Sequence, residues 1–148
     1  MGLNRWGDSI LHSLYGKKFG IDKNDYVAGP AGYRNGIETV TTAGTALDPA
    51  GISNLANTTT GGTAIALTLP GPSLALRGLT KVINNVSTGS PVYTVTLTTG
   101  YIGTSTGVPA CTAATFGSSV AWGQSLSLQY ISSAVAMVIG SAGTITYA

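Results

Sequence analysis

The stretch "PVYTVTLTTG" (residues 91–100) carries the clearest strand signal in the chain. Tyr93, Val95 and Leu97 fall on one side of an extended segment, and the intervening threonines fall on the other. A period of two, built from β-branched and aromatic residues, is typical of a half-buried strand. We therefore expect the Tyr93 side to face a core and the threonine side to face outward.

The same alternation recurs elsewhere in the chain. It appears in "TAIALTLPGP" (residues 63–72), "SLALRGLTKVINN" (73–85), "SLSLQYI" (125–131) and "TITYA" (144–148), while "AVAMVIG" (134–140) is apolar on both faces. With a short strand from Ile37 to Thr41, these segments predict six or seven strands joined by glycine-rich turns. That pattern indicates a mainly β protein, with a β-sandwich or jelly-roll-like domain over residues 37–148. Residues 41–63 are expected to form a loop, with a turn at Asp48-Pro49-Ala50-Gly51.

The charged residues are concentrated at the N-terminal end. Only 8% of the 148 residues are charged, against roughly 25% in an average soluble domain. Nine of the twelve Lys, Arg, Asp and Glu residues lie at or before Glu38, and residues 82–148 contain none. We therefore divide the chain into an N-terminal arm (residues 1–36) and a β-domain (residues 37–148). The net charge of +2 is small and the basic residues alternate with acids, so no nucleic-acid partner is expected.

The arm begins with a helical pattern. Leu3, Trp6, Ile10 and Leu14 recur at steps of three and four, which predicts a short helix with one apolar side. A helix of about three turns is marginal in water and needs a surface to lie on. That surface is either the protein's own β-domain or another protein. The glycine-rich remainder of the arm predicts an extended segment that carries aromatic side chains.

The uncharged β-domain predicts self-association. Exposed strand edges are usually protected by Lys, Pro, bulges or a covering segment, and residues 82–148 have no charged side chain for that purpose. The segment "AVAMVIG" would make an isolated subunit prone to aggregation. We expect a close-packed homo-oligomer that hides these edges, specifically a homotrimer.

No catalytic or metal-binding pattern emerges. The single histidine, His12, lies in the predicted helix, and we interpret "GTSTG" (residues 103–107), the one match to G-x-S-x-G in the chain, as a turn. Asp22 and Asp25 in "GIDKNDY" resemble part of a calcium loop but lack its glycine and terminal glutamate. Two carboxylates for glycoside hydrolysis would have to come from Glu38 and Asp48 or from the acids of the arm, and nothing favours that role. We expect no enzymatic activity, no cofactor and no metal.

Compartment signals are equally sparse. No stretch approaches the ~18 apolar residues of a membrane span, so no membrane partner is expected. We find no secretory signal, and we interpret the glycosylation-like patterns at Asn57 and Asn85 as products of composition. Cys111 is the only cysteine, so an intrachain disulfide is excluded, and a buried inert thiol is expected.

Two long segments carry a resemblance to a known group of proteins. The segments "AIALTLPGPSLALRGLTKVINNVSTGSPVYTVTLTTG" (residues 64–100) and "WGQSLSLQYISSAVAMVIGSAGTI" (122–145) resemble the β-domains of tailed-bacteriophage virion proteins of the head decoration (cement) or head-fibre type. The shared features are a strand ending in Leu-Pro, a strand running to Ile-x-Asn, a threonine-alternating strand ending in Gly and a later Gly-x-Ser-Leu-x-Leu strand. The resemblance covers roughly residues 60–148. It departs from the usual pattern at residues 134–137, where a tryptophan is common in such domains.

The resemblance implies a virion structural protein on the capsid exterior. The N-terminal segment would dock on the major capsid protein, and the β-domain would form the trimer. Large apolar, aromatic and arginine side chains are the types that anchor interfaces, and they identify the expected capsid-anchoring residues as Leu3, Arg5, Trp6, Ile10, Leu14, Phe19 and Tyr26.

Two other functions stay open. A tail-fibre or surface-displayed module would bind a host-surface glycan or receptor, with Tyr93, Tyr101, Trp122 or Tyr130 stacking on sugar rings; Tyr93 and Tyr130 also share the apolar sides of their strands, which favours core positions. A depolymerase of the tail-spike kind is the third alternative, and the scarcity of acidic residues opposes it.

Overall fold

A computed structural model of the protein describes residues 37–58, 62–104, 111–117 and 122–148. This part of the chain is mainly β, as the alternation predicts. Its strands are β1 (Ile37–Val40), β2 (Gly51–Leu55), β3 (Ala64–Leu69), β4 (Thr80–Val86), β5 (Val92–Leu97), β6 (Tyr101–Gly103), β7 (Ala113–Phe116), β8 (Trp122–Tyr130), β9 (Val135–Ala142) and β10 (Ile145–Tyr147).

The strands form two mixed sheets. The larger sheet has the order β1-β2-β4-β8-β9-β6, and the smaller has the order β10-β7-β5-β3. Strands β1, β2 and β4 run parallel to one another, as do β6 and β9 and, in the smaller sheet, β3 and β5. The remaining neighbours are antiparallel. The parallel pairs distinguish this sandwich from an all-antiparallel jelly roll.

One apolar core lies between the sheets. Its buried side chains come from both sheets: Val40, Leu55, Ile83, Ile102, Leu126, Leu128, Tyr130 and Ala136 from the larger, and Ile65, Leu67, Leu69, Tyr93, Val95, Leu97, Ala114 and Phe116 from the smaller. The two sheets therefore pack face to face. The predicted inward sides of residues 63–72, 91–100 and 125–131 are confirmed, because the residues expected to face inward are at most 5% exposed, namely Ile65, Leu67, Leu69, Tyr93, Val95, Leu97, Leu126, Leu128 and Tyr130.

The expectation of a loop over residues 41–63 is wrong in part. Strand β2 lies within it, between β1 and β4. Its inward positions are Gly51, Ser53 and Leu55, and two of these are not large apolar residues, so the sequence shows no alternation of hydrophobicity. Strands β6 and β7 were also not expected, and they are only three and four residues long.

The expected strand over residues 73–85 begins later than predicted. Residues Leu74–Leu76 form a short 3-10 helix, and β4 starts only at Thr80. Gly78 between them has φ +86°, a left-handed conformation that a strand does not contain. The alternation of Leu74 and Leu76 in the sequence is therefore accidental.

Strand β9 has a bulge and an open edge. Leu128 opposes Val138 while Ser127 opposes Gly140, so Ile139 is the extra residue. Strand β6 pairs with only the first three residues of β9. Beyond them, none of the described residues pairs with the outer side of β9, and Ile139 is 53% exposed there.

The β3 edge of the smaller sheet is covered by another segment of the chain. The amide N–H groups of Gly44 and Leu47 donate to the carbonyls of Ala66 and Thr68, both at 2.8 Å. The segment after β1 thus occupies the free side of β3, which is one of the usual ways to protect an edge.

The predicted N-terminal arm and its helix lie outside the described residues. Within the ranges described, no helix has the length and hydropathy needed to cross a membrane.

Candidate functional site

The only ion pair found in the described residues lies on the inner face of the larger sheet. Glu38 on β1, Ser53 on β2 and Lys81 on β4 point into the sandwich near its β1 edge. The Lys81 ammonium donates to Glu38 Oε1 at 2.8 Å, and the Ser53 hydroxyl donates to the same oxygen. The backbone N–H of Asp48 donates to both carboxylate oxygens, at 3.1 and 3.3 Å. Three donors from separate parts of the chain therefore make four hydrogen bonds to one carboxylate.

The two charges of this pair are not equally shielded. The Lys81 side chain is 0% exposed, whereas that of Glu38 is 22% exposed. Burial by itself raises the pKa of the Glu38 carboxyl, but hydrogen bonds from Lys81 and Ser53 and the charge of Lys81 outweigh it and leave the pKa below 4.5. Burial lowers the pKa of the Lys81 ammonium below 10.5, and its contacts with Glu38 offset only part of that effect. The pKa of each group is therefore lowered, that of Glu38 by its hydrogen bonds and the charge of Lys81, and that of Lys81 by burial.

These hydrogen bonds link β1, β2 and β4 to one another. A nucleophilic serine needs a base that accepts its proton and an open space for a substrate carbonyl. Ser53 is 0% exposed, and its hydroxyl is directed at a carboxylate already held by a lysine. Glu38 and Asp48 are in contact through the backbone N–H of Asp48, which donates to the Glu38 carboxylate. The contacts in the structure do not make these two residues the acid pair of a glycosidase.

A second polar network crosses the other end of the sandwich. Gln124 on β8 is 1% exposed, and its amide nitrogen donates to the carbonyls of Gly117 at 2.9 Å and Thr144 at 3.2 Å. Its amide oxygen accepts from Asn85 Nδ2 at 3.0 Å. Gln124 therefore ties the ends of β7 and β10, which belong to the smaller sheet, to β4 in the larger one. Asn85 is 2% exposed, so its glycosylation-like pattern is buried in the folded domain.

Ser87 and Tyr93 extend this network. The Ser87 hydroxyl donates to the Leu55 carbonyl at 3.0 Å, so the Tyr93 hydroxyl is the donor in the hydrogen bond between Ser87 and Tyr93. Tyr93 in turn accepts from the backbone N–H of Asn57 at 2.9 Å. Across the described residues, every buried side-chain nitrogen and oxygen has a partner. The inward polar residues thus hold the sheets in register.

Metal-binding clusters do not occur in the part of the chain that the structure covers, where no three His, Cys, Asp or Glu residues come together. Cys111 is half-buried and packs against the core, so the expectation of a fully buried thiol is wrong in degree.

The aromatic residues considered for sugar stacking separate into three groups. Tyr93 and Tyr130 are both 0% exposed, as their strand positions favour, and burial raises the pKa of the Tyr130 hydroxyl, which donates to the Pro70 carbonyl at 3.2 Å. Tyr101 is 44% exposed. The side chain of Trp122 lies outside the description. The core positions of two of the four candidates remove them from any exposed binding surface.

Most of the exposed large apolar side chains in the described residues lie at one end of the sandwich, spread between the β1 and β6 edges of the larger sheet. Five such residues occur in the described ranges, and four of them, namely Ile37, Leu74, Tyr101 and Ile131, share this end, which we call the Leu74 end. The pairing of the strands places them there. Strands β1, β2 and β4 run parallel and start at this end, β8 finishes there, and β9 and β6 start there again. The remaining residue, Ile139, is on the lateral edge at β9.

The backbone joins the loops of the Leu74 end directly. The Gly78 N–H donates to the Tyr130 carbonyl at 2.7 Å, and the Tyr101 N–H donates to the Ala134 carbonyl at 2.8 Å. No sequence signal identified Leu74 or Ile131 as exposed, because alternation within a strand does not show which loops meet.

The seven predicted capsid-anchoring residues, Leu3, Arg5, Trp6, Ile10, Leu14, Phe19 and Tyr26, all lie outside the described residues, so their role stays a prediction. Comparison of the chain with protein-family models, with curated proteins and with solved structures found no match.

Proposed function

We propose that the protein is a phage capsid decoration or head-fibre protein. In this proposal it is a homotrimer on the capsid exterior that docks on the major capsid protein through its N-terminal arm. It acts by binding and stabilising the head, without catalysis and without a cofactor. The resemblance of residues 60–148 to such domains motivates the proposal.

The observation that carries the proposal is the distribution of charge in the folded domain. Residues 37–148 contain four charged side chains, and two of them, Glu38 and Lys81, pair inside the sandwich. Only Asp48 and Arg77 are left to keep neighbouring subunits apart, whereas the arm contains eight charged residues in 36 positions. A nearly uncharged domain favours association with copies of itself, and an ionic arm favours a separate polar partner.

The open edge of β9 supports self-association. Residues 138–142 have no described partner on their outer side, and the exposed Ile139 adds apolar surface to an edge without charge. An unpaired and uncharged edge of this kind is a template for another strand. A neighbouring subunit is the partner that is always available to it.

Deletion of residues 1–36 tests the arm. We expect the shortened chain to stay folded and oligomeric, as measured by circular dichroism and sedimentation velocity, and to lose binding to capsids that lack this protein. The intact chain is the control. Unchanged occupancy of the capsid by the shortened chain would refute docking through the arm.

The alternative is a tail-fibre or surface-displayed module that binds host glycans. One observation favours it, namely that Tyr101 offers an exposed ring at the Leu74 end. Cryo-electron microscopy of purified particles distinguishes the two functions. Density on the head supports decoration, and density at the tail tip supports receptor binding.

A further inference from the structure

We propose that, in the free protein, the predicted helix of the arm packs on the outer face of its own larger sheet, over a row formed by Ile37, Ile52 and Val82. The inference goes beyond the proposed function, because it concerns the protein before it meets a capsid. The apolar side of the helix then has two alternative partners, its own sheet in the free protein and the capsid after docking.

The first argument is that the three side chains form one continuous row. The pairing of the strands places Ile37 directly beside Ile52, and Ile52 directly beside Val82. All three alternate with residues that point into the sandwich, so their side chains lie on the outer face, where Ile37 is 63% exposed and the other two are partly exposed. Neighbouring strands are about 4.8 Å apart, so the row is about 10 Å across, which matches the diameter of a helix.

The second argument is the composition of the outer face around this row. The outer positions of β1, β2 and β4 carry no charged residue. Thr39, Asn54 and Asn84 border the row on one side, and the Asn84 side-chain amide donates to Asn54 Oδ1 at 3.1 Å, so these two amides are bonded to each other. A sheet face in water usually carries polar residues at every outer position, whereas an apolar row indicates a covered face.

The direction of the strands points the same way. Strands β1, β2 and β4 run parallel to one another, and parallel strands are usually covered on both faces. The smaller sheet covers their inner face, and the described strands belong to two sheets only. Within the described residues, the outer face therefore has no covering layer.

The third argument is that the predicted helix fits the row in size and chemistry. Its apolar side runs from Leu3 to Leu14, eleven residue steps of 1.5 Å each, or about 17 Å. Strand β2, which carries the central residue of the row, has five residues and is also about 17 Å long. A helix of about three turns is marginal in water, so an uncharged apolar surface is what it needs in order to form.

The fourth argument is where the arm joins the domain. The arm ends at residue 36, and Ile37 is itself the first member of the row. Residues 15–36 form a link of 22 residues that spans up to roughly 70 Å, so the helix reaches the row easily. A segment tethered in this way has an effective concentration on the order of millimolar, which favours it over a second copy in dilute solution.

The test measures hydrogen exchange at residues 3–14 of the free full-length chain by mass spectrometry. Ile52→Glu places a charge in the middle of the row. Thr96→Glu is the matched control, since Thr96 is a half-buried outward residue on β5, an inner strand of the smaller sheet. We expect these amides to exchange roughly tenfold or more slowly than in an unstructured peptide, Ile52→Glu to remove most of this protection and Thr96→Glu to preserve it.

A second variant tests the contact from the arm, outside the sandwich. Ile10→Glu charges the apolar side of the predicted helix, and His12→Glu is its control, because a residue two positions along a helix faces away. Oxidative footprinting measures the solvent access of the Ile52 and Val82 side chains. We expect labelling of both to rise in Ile10→Glu and to stay unchanged in His12→Glu.

Three results would overturn the inference. The first is exchange of the arm amides at the unstructured rate in the unaltered chain, and the second is an equal loss of protection in Ile52→Glu and Thr96→Glu. The third is protection that disappears when dilution separates the subunits, which would assign the row to a second copy. No capsid is present in these measurements, so their failure leaves docking through the arm untouched, and failure of capsid docking leaves this contact untouched.

Discussion

At the scale of single residues, the pair of Glu38 and Lys81 is asymmetric. Lys81 is completely buried, so without Glu38 its charge is left in the interior with only the weaker attraction of Asp48. Glu38 is partly exposed and keeps the Ser53 hydroxyl and the Asp48 N–H if Lys81 is removed. Removal of Glu38 is therefore expected to destabilise the fold more than removal of Lys81.

Glu38→Gln is expected to reduce the free energy of unfolding by about 1–3 kcal/mol, the cost of a buried polar group that loses its partner. Lys81→Met is expected to cost less, because a long apolar side chain fills the same space without a buried charge. Chemical denaturation measures both values. The double variant Glu38→Gln/Lys81→Met is the control, and it is expected to be more stable than Glu38→Gln alone. Equal losses from the two single variants would contradict the asymmetry.

The same pair predicts how stability depends on pH. The pKa of Glu38 is below 4.5 in the folded protein, so in acid the unfolded chain binds more protons, and stability is lost as the pH falls from 4.5 through the folded pKa. The pKa of Lys81 is below 10.5 in the folded protein, so stability rises as the pH increases from the folded pKa to 10.5. Denaturation curves of Glu38→Gln are expected to show a shallower loss in acid, and an unchanged acid slope would contradict this assignment.

At the scale of elements, the turn between β9 and β10 transfers the chain from one sheet to the other. Gly143 in this turn has φ +76°, and a Cβ there would lie 2.7 Å from Gln124 Cγ. Gln124 is the residue that links β4, β7 and β10, so a displacement at this position reaches both sheets. The turn and the buried amide therefore form one unit.

Gly143→Ala is expected to destabilise the domain by more than the about 1–3 kcal/mol of a left-handed residue other than glycine, because the methyl group also displaces Gln124. Gly44→Ala is the matched control, since Gly44 has φ +75° and a Cβ there has no neighbour within 4 Å. Thermal denaturation compares the two. A loss in Gly44→Ala as large as that in Gly143→Ala would show that backbone strain alone accounts for the effect.

The bulge of β9 is the second feature at this scale. The extra residue, Ile139, lies on an edge whose outer side has no partner among the described residues. A bulge in an open edge usually limits unwanted pairing, but this one has no charge near it to repel a second strand.

In Ile139→Lys the proposed oligomer is expected to shift toward the monomer without unfolding, because a lysine on an edge strand opposes strand addition. Analytical ultracentrifugation measures the shift. Ala66→Lys adds the same charge to an exposed position of β3, on the opposite lateral side, and is expected to leave the oligomer intact. Dissociation by both variants would point to charge in general, and dissociation by neither would exclude the β9 edge as the contact.

At the scale of the whole molecule, the two parts of the chain follow different physical rules. The arm is ionic and the β-domain is almost uncharged. Salt should therefore affect the proposed contact between the arm and the capsid more than the proposed contacts between β-domains. Screening shortens the range of charge interactions from about 10 Å at 0.1 M salt to about 3 Å at 1 M, and it has little effect on apolar burial.

Raising the salt concentration across that range is therefore expected to weaken binding to capsids while the oligomer persists. Sedimentation with and without capsids measures the two equilibria in the same buffers. Loss of the oligomer at a salt concentration where capsid binding survives would reverse the assignment of ionic and apolar contacts.

The inward sides of β3, β5 and β8 follow from the sequence alone, because the period of a strand is a local property. In residues 63–72, 91–100 and 125–131 the apolar side chains alternate, and each set enters the core. The separation of charge between the arm and the domain is likewise a property of the sequence. The predicted sandwich depended on these two features, and its sheets are present.

Only the tertiary structure decides which distant residues meet. Ser53 shows no alternation of hydrophobicity around it, and Lys81 pairs with a residue 43 positions earlier, so neither role was visible in the sequence. The exposure of Leu74 depends on which strands are parallel and therefore on which loops share an end. Local periodicity determines which side of a strand faces inward. The pairing of strands, which long-range hydrogen bonds fix, determines which residues of other strands lie next to it.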